Sequence, residues 1–386
     1  MNWVEIKHKR QGLFTSESVG KGHPDKICDQ IADSILDHIL KKSPNSRVAC
    51  EVLASNRLIL IGGEITTTKY VDVVQCAWDV IKPLGYTEND FTIISNINSQ
   101  SLEIAELVNH LDGDIGAGDQ GITIGYAVNE ANNYMPWATF LANELLEQAE
   151  EVRKKSIVNG LKSDMKSQVT MEYVDNQVKI NKIIISAQHE KNIDFNIFRS
   201  QIIEYVITPV LLKYNFINTR DDLDKLICLV NPLGTFVVGG PIGDTGLTGR
   251  KLMVDSYGPY AHHGGGAYSG KDFTKVDRTG AYYARWIAKH IVALNWATEC
   301  EVRISWAIGQ TKPLDISIEC FNTNQIPLDE IKFRINSVFN HSVKEIINIL
   351  NLQEIDYLPY ATFGHFGKEI APWENLKLLD ELKKDI

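Results

Sequence analysis

The chain has 386 residues, 44% of them hydrophobic, which is too long for one ordinary core and apolar enough to pack two or three domains. A formal net charge of −10 argues against non-specific nucleic-acid binding over the whole surface, and no apolar run approaches the length of a membrane span. The six cysteines form no CxxC pair or zinc spacing, and residues 1–13 are polar and charged, so the expectation is a reduced, cytoplasmic chain with neither membrane nor nucleic acid as partner.

In chain order, Ile27, Ile31, Ile35, Ile39 and Leu40 recur at helical spacing, which predicts a helix over 23–42 that opens at Pro24 and stops at Ser43-Pro44. Residues 47–53 and 58–66 read as strands joined at Ser55-Asn56, followed by a helix at 71–81 and a strand at 91–96. Residues 96–121 are dense in Ser, Asn, Asp and Gly; their composition fits a lid over 98–118 and an ordinary connection equally well. A strand at 122–127, a helix at 137–154 and a loop at 159–166 come next. A second hairpin (168–173 and 178–187) precedes a helix at 195–206 that Pro209 is expected to end. A helix at 279–294, a third hairpin (300–308 and 315–321) and helices at 328–339 and 342–349 complete the pattern. A hairpin followed by a helix thus occurs three times, which favours an α+β fold with mainly antiparallel sheets.

The stretch 239–278 holds ten glycines, the cations Arg250, Lys251, Lys271, Lys275 and Arg278, and the carboxylates Asp244, Asp255, Asp272 and Asp277. Glycine-rich backbone presents N–H groups to anions, cations supply charge for a polyphosphate, and carboxylates among them suggest a hard metal. Earlier, GKGHPDK places His23, Asp25 and Lys26 at a helix start, which reads either as a cap or as a phosphate and cation site. Asp164 and Lys166 stand just before a predicted strand, where a base or ribose could be held. Glu51 and Glu64 lie on strand-like runs among apolar neighbours and need a partner there. The chain lacks GxxxxGK[ST], GxSxG and the kinase set, so the chemistry reads as charge stabilisation around a polyphosphate without a protein nucleophile.

The motifs FTSESV, GHPDK, ACE, GGEITT, GAGDQG, KSQVT, GGPIGDTGLTGRK, HGGGAYSGKD, KVDR, WAIG and GHFGKE…PWE together resemble the S-adenosylmethionine synthetase (methionine adenosyltransferase) family over about residues 13–373. The resemblance implies three α+β domains related by pseudo-threefold symmetry, at 12–110, 120–237 and 238–378. It implies a site between two subunits, with dimers pairing into tetramers. It also implies synthesis of S-adenosylmethionine from ATP and L-methionine; a catalytically weak regulatory relative is the alternative. On matching positions, His23, Asp164, Lys166, Thr235, Phe236, Asp244, Arg250, Lys251, Ala267, Lys271 and Arg278 would meet ATP. Glu64, Gln100, Asp244 and Lys275 would meet methionine, and His23, Lys271, Arg250 and Asp244 would act in catalysis. Asp25 and Asp277 would hold Mg2+ and Glu51 K+. Two positions depart from the family's usual residues: Lys21 for Glu and Thr235 for Arg, with Lys21 expected to offset part of the charge lost at Thr235.

Overall fold

The computed structural model describes residues 2–99 and 114–384. Gln100 and most of the 98–118 stretch therefore lie outside the described residues.

The hairpins form where the alternation predicts them: β3 (Arg47–Ser55) with β4 (Leu58–Thr66), β7 (Leu161–Val174) with β8 (Gln177–His189), and β11 (Glu299–Trp306) with β12 (Asp315–Glu319). Each is followed by a helix: α2 (Val73–Ile81), α4 (Phe195–Ile202) and α8 (Leu328–Val338). Among the described residues the strands form three sheets, and each takes in a strand from elsewhere in the chain. β2 (Gly12–Val19) pairs antiparallel with β7, from Gly12 opposite Tyr173 to Val19 opposite Lys166. β6 (Gly121–Val128) lies along β11, and β10 (Gly246–Leu247) along β3. β5 (Thr92–Asn98) and β9 (Ile227–Val230) add parallel to β4 and β8. The fold is thus α+β, with mainly antiparallel sheets packed by helices.

The long helices cover one face of these sheets. α1 (Pro24–Lys42) packs on β3, α3 (Trp137–Lys154) on β7 and β2, and α7 (Val276–Ala293) on β6 and β11. α7 buries nearly its whole length, including Tyr282, Tyr283, Trp286 and Ile287. The opposite sheet faces keep large apolar side chains in the open: Leu13 on β2, Leu60 on β4, Ile94 on β5 and Ile122 on β6.

Two expectations are corrected. The predicted loop at 159–166 is the first part of β7, so Asp164 and Lys166 are strand residues. Its polar sequence hides this because the pairing comes from afar: Gly20 N and Gly22 N donate to the carbonyls of Met165 (2.7 Å) and Ser163 (3.0 Å). Pro209 does not end its helix. A π-helical turn over Ile203–Ile207 leads from α4 into α5 (Thr208–Lys213). The carbonyl of Tyr205, which a non-proline residue at 209 would bond in an α-helix, accepts instead from Gln148 Nε2 at 2.9 Å.

Candidate active site

The site is built on the start of α1. His23 is the N-cap residue: its extended backbone (φ −63°, ψ 136°) lets Nδ1 accept from Asp25 N at 3.2 Å. That bond places the ring proton of a neutral imidazole on Nε2, which makes no other hydrogen bond among the described residues. Burial, then the charges of Lys251 and Lys166, hold its pKa down at about 3, so the ring stays a neutral donor. The cap and a phosphate role are therefore compatible readings of one residue.

Along α1, Asp25, Asp29, Asp33 and Asp37 stand four residues apart, and all four are buried. In a helix interior such carboxylates need donors. They find them in backbone. Asp25 accepts from Leu247 N (2.9 Å), Asp29 from Gly249 N (2.9 Å) and Asp33 from Gly270 N (2.8 Å). Asp37 accepts from Tyr357 N and Leu358 N (2.7 and 2.9 Å). Both arms of the glycine-rich stretch are thereby laid along α1 and the edge of β3, where Cys50 N donates to Gly270 O at 2.9 Å. Gly270 has φ +79°, and a side chain there would overlap the Cys50 carbonyl, so glycine is required.

The first arm carries Arg250 and Lys251 back to the helix start. Lys251 Nζ donates to Asp25 Oδ2 at 2.5 Å, and Arg250 Nε lies 3.8 Å from Asp25 Oδ1. Burial raises the Asp25 pKa, but the Lys251 and Leu247 hydrogen bonds outweigh it and hold the carboxyl below its usual range. The second arm carries Lys271, whose Nζ donates to Asp277 Oδ2 at 2.6 Å at the start of α7. Lys275 Nζ donates to the buried Asp272 at 2.7 Å.

On β7, Asp164 Oδ2 accepts from Gly240 N at 2.8 Å, while the buried Oδ1 has no partner among the described residues. Burial pushes its pKa up to about 6, against the Gly240 N–H and Lys166. The loop through Thr235 and Phe236 is tied to the end of β8: Phe236 N donates to His189 Nε2 (3.0 Å), and Gln188 Nε2 to Val237 O (3.0 Å). Asp244 is exposed, its Oδ1 accepting from Thr245 N at 2.8 Å. Ala267 packs under Gly249. On the open face of β3 and β4 a cleft of about 420 Å³ is lined by Ala49, Glu51, Leu60, Gly62, Glu64 and Leu247. Glu51 and Glu64 are exposed there, so solvent or a ligand can serve as the partner expected of each.

Protein-family models of S-adenosylmethionine synthetase match in succession: the N-terminal domain over residues 11–109, the central domain over 114–236 and the C-terminal domain over 238–375. This chain belongs to the S-adenosylmethionine synthetase family. It is 55% identical over 383 residues to a protein of Mycoplasma genitalium named S-adenosylmethionine synthase, covering 98% of both chains. It is 53% identical over 378 residues to the protein of that name from Mycoplasmopsis pulmonis, covering 97% of this chain and 99% of the other. It is 44% identical over 391 residues to the Clostridium tetani S-adenosylmethionine synthase, covering 96% of this chain and 98% of the relative.

Laid on this family's motifs, the structure gathers His23, Asp25, Arg250 and Lys251 directly, and joins Asp164 to the same glycine-rich stretch through Gly240. Arg278, which the resemblance sets at the phosphate, is wholly buried among protein partners: Nη1 and Nη2 donate to Asp33 at 2.8 Å each, Nε to Tyr282 Oη at 2.9 Å, and Nη1 also to Lys271 O at 3.1 Å. Its fork is consumed in holding the second arm on α1. Lys21 is partly buried beside α3: burial, then the charge of Lys154, lowers the pKa of its ammonium against Glu150 and Glu147, and the ammonium lies 5.9 Å from the Phe363 ring. From sequence, Lys26 was named only within GKGHPDK and Asp255 only among the carboxylates of the glycine-rich stretch; Asp29 and Asp33 were not singled out. The four-residue spacing of aspartates along α1 was the signal available.

Proposed function

We propose that this chain synthesises S-adenosylmethionine from ATP and L-methionine. The full-length match to relatives bearing that name carries the reading, and the geometry supplies a chemistry for it. A thioether sulfur is neutral and has a free lone pair, so attack on C5′ of ATP needs no general base. The barrier lies in expelling a multiply charged triphosphate, and preorganised cations lower it. Arg250, Lys251 and Lys271 are the groups for that task, with neutral His23 donating through Nε2. The same cations would hold the triphosphate while it is hydrolysed to phosphate and diphosphate. Asp164 Oδ1, buried and unpartnered, fits an adenosine donor. Glu64 and Asp244 would take the methionine ammonium. Nothing favours the alternative of a catalytically weak subunit.

The family is metal-dependent, and Asp25 and Asp277 are the residues that would hold Mg2+, with Glu51 for K+. Their donor chemistry fits: both Mg2+ candidates are carboxylates on which a lysine ammonium now stands. Among the described residues no three His, Cys, Asp or Glu side chains converge on one point, so phosphate oxygens would complete the shell. A divalent cation bound there neutralises charge on the departing triphosphate. We also place the working site between two subunits. Open apolar sheet faces bearing Leu13, Leu60, Ile94 and Ile122 support a self-associating chain.

Product analysis with ATP, methionine, Mg2+ and K+ should yield S-adenosylmethionine, phosphate and diphosphate in equal amounts. Run across protein concentration with sedimentation alongside, activity should follow the dimer or tetramer; a fully active monomer would remove the shared-site reading. The adenosine contact has its own test. Adenosine carries no group that titrates between pH 5 and 8, so its affinity should rise with pH through about 6 as Asp164 ionises and becomes a full acceptor. Asp164→Asn should flatten that profile. The same slope in both proteins would take Asp164 out of the adenosine site.

A further inference from the structure

One buried cation in GHPDK has no part in the chemistry above. Lys26 is fully buried, one residue after Asp25. Its ammonium donates to Asp29 Oδ2 at 2.9 Å and to Asp255 Oδ1 in a second, very close contact. These carboxylates lie at the two ends of one short segment. Asp29 Oδ1 accepts from Gly249 N at 2.9 Å, which fixes the entry. Gly249 has φ +78°, so the chain turns sharply there. Asp255 closes the one-turn helix α6 (Leu252–Asp255): its N–H donates to Lys251 O at 2.8 Å, and its carbonyl accepts from His365 N at 2.9 Å. Between these anchors stand Arg250 and Lys251. The Arg250 side chain is 52% exposed, while that of Lys251 reaches Asp25 at 2.5 Å. Beneath both, the anchors fix the backbone that launches them.

We infer that Lys26 is a positioning residue for the triphosphate: through Asp29 and Asp255 it clamps both ends of 249–255 and so aims Arg250 and Lys251. This rests on the reading above that those two cations hold triphosphate. A group that only packed the core would affect every ligand alike. A clamp on this segment acts on the phosphate end of ATP alone.

The test uses the full-length protein with inorganic tripolyphosphate and magnesium by calorimetry, and the KM for methionine in synthesis. Lys26→Met and Asp29→Asn should each weaken tripolyphosphate binding by about 10- to 100-fold, the cost of a misplaced binding group, while the methionine KM stays within about twofold of the parent. Lys26→Arg, which keeps a cation between the two carboxylates, should recover most of the loss. Should Lys26→Met fail to fold, Asp29→Asn decides, because its amide oxygen can still accept from Gly249 N. Unchanged tripolyphosphate affinity in a folded variant overturns the inference, as do tripolyphosphate affinity and methionine KM shifting together. A parent protein that makes S-adenosylmethionine but does not bind tripolyphosphate overturns it too, with the synthesis reading intact. A parent that makes no product overturns that reading instead.

Discussion

Lys271→Ala should cost about 10²- to 10³-fold in turnover, or about 2.7–4 kcal/mol of transition-state stabilisation, with little loss of folding stability. The stability argument comes from how the residue is held. Its backbone sits in a bridge with Ala49, Gly270 N is bonded to Asp33, and the Lys271 carbonyl accepts from Arg278. None of these needs the side chain. Among the described residues the ammonium has only Asp277 at 2.6 Å, in a pair that is 25% and 18% exposed. Partly exposed pairs of this kind contribute about 0.2–1 kcal/mol, and the carboxylate left behind can be hydrated. The catalytic argument runs the other way. Charge on the leaving triphosphate grows as the C5′–O bond breaks, so a nearby cation binds the transition state more tightly than it binds ATP. Turnover should therefore fall more than ATP affinity. Steady-state kinetics on a variant with a parental melting curve checks both halves. An unchanged turnover number would remove Lys271 from the mechanism.

Much of this arrangement was legible in the sequence because it is local. The first hairpin turns at Asn56-Arg57, one residue past the expected joint, and Asn56 adopts the positive φ (51°) that such a turn uses. The helix over 137–154 is bounded by Pro136 and carries its apolar residues at helical spacing, so its ends were read to the residue. What escaped was set by distant partners. β2 pairs with a strand some 150 positions later, and no periodicity in 12–19 states that register. Asp164 and Lys166 looked like loop residues because a strand carrying KSDMKS is polar; its ladder is completed by Gly20 and Gly22. The site divides the same way. Composition showed that cations and carboxylates shared a glycine-rich stretch. Which cation faces a ligand and which is walled in depends on α1, whose Asp25, Asp29 and Asp33 hold the stretch through backbone N–H groups more than two hundred positions away.

Arg278 shows the consequence most sharply, and its replacement should fail in the opposite way to that of Lys271. Arg278→Leu removes a guanidinium that is fully buried, bonded bidentately to Asp33 at 2.8 Å on both arms and lying 4.2 Å from the Tyr357 ring. Asp33 would keep only Gly270 N as a donor, its charge uncompensated in the interior. Breaking a buried pair from one side costs about 3–5 kcal/mol. Arg278→Lys should recover only part, since a single ammonium cannot reproduce two parallel bonds and a ring contact. Denaturant unfolding of parent, Arg278→Leu, Asp33→Asn and the double variant separates the alternatives. The double variant should be less destabilised than the sum of the singles, because removing both charges leaves none stranded. ATP affinity of the folded Arg278→Leu protein, measured well below its unfolding midpoint, should change far less than its stability. If stability holds while ATP affinity drops about tenfold or more, a loss of at least about 1.4 kcal/mol in binding, Arg278 reaches phosphate after all, and the Asp33 pair is a resting state that opens when ATP binds.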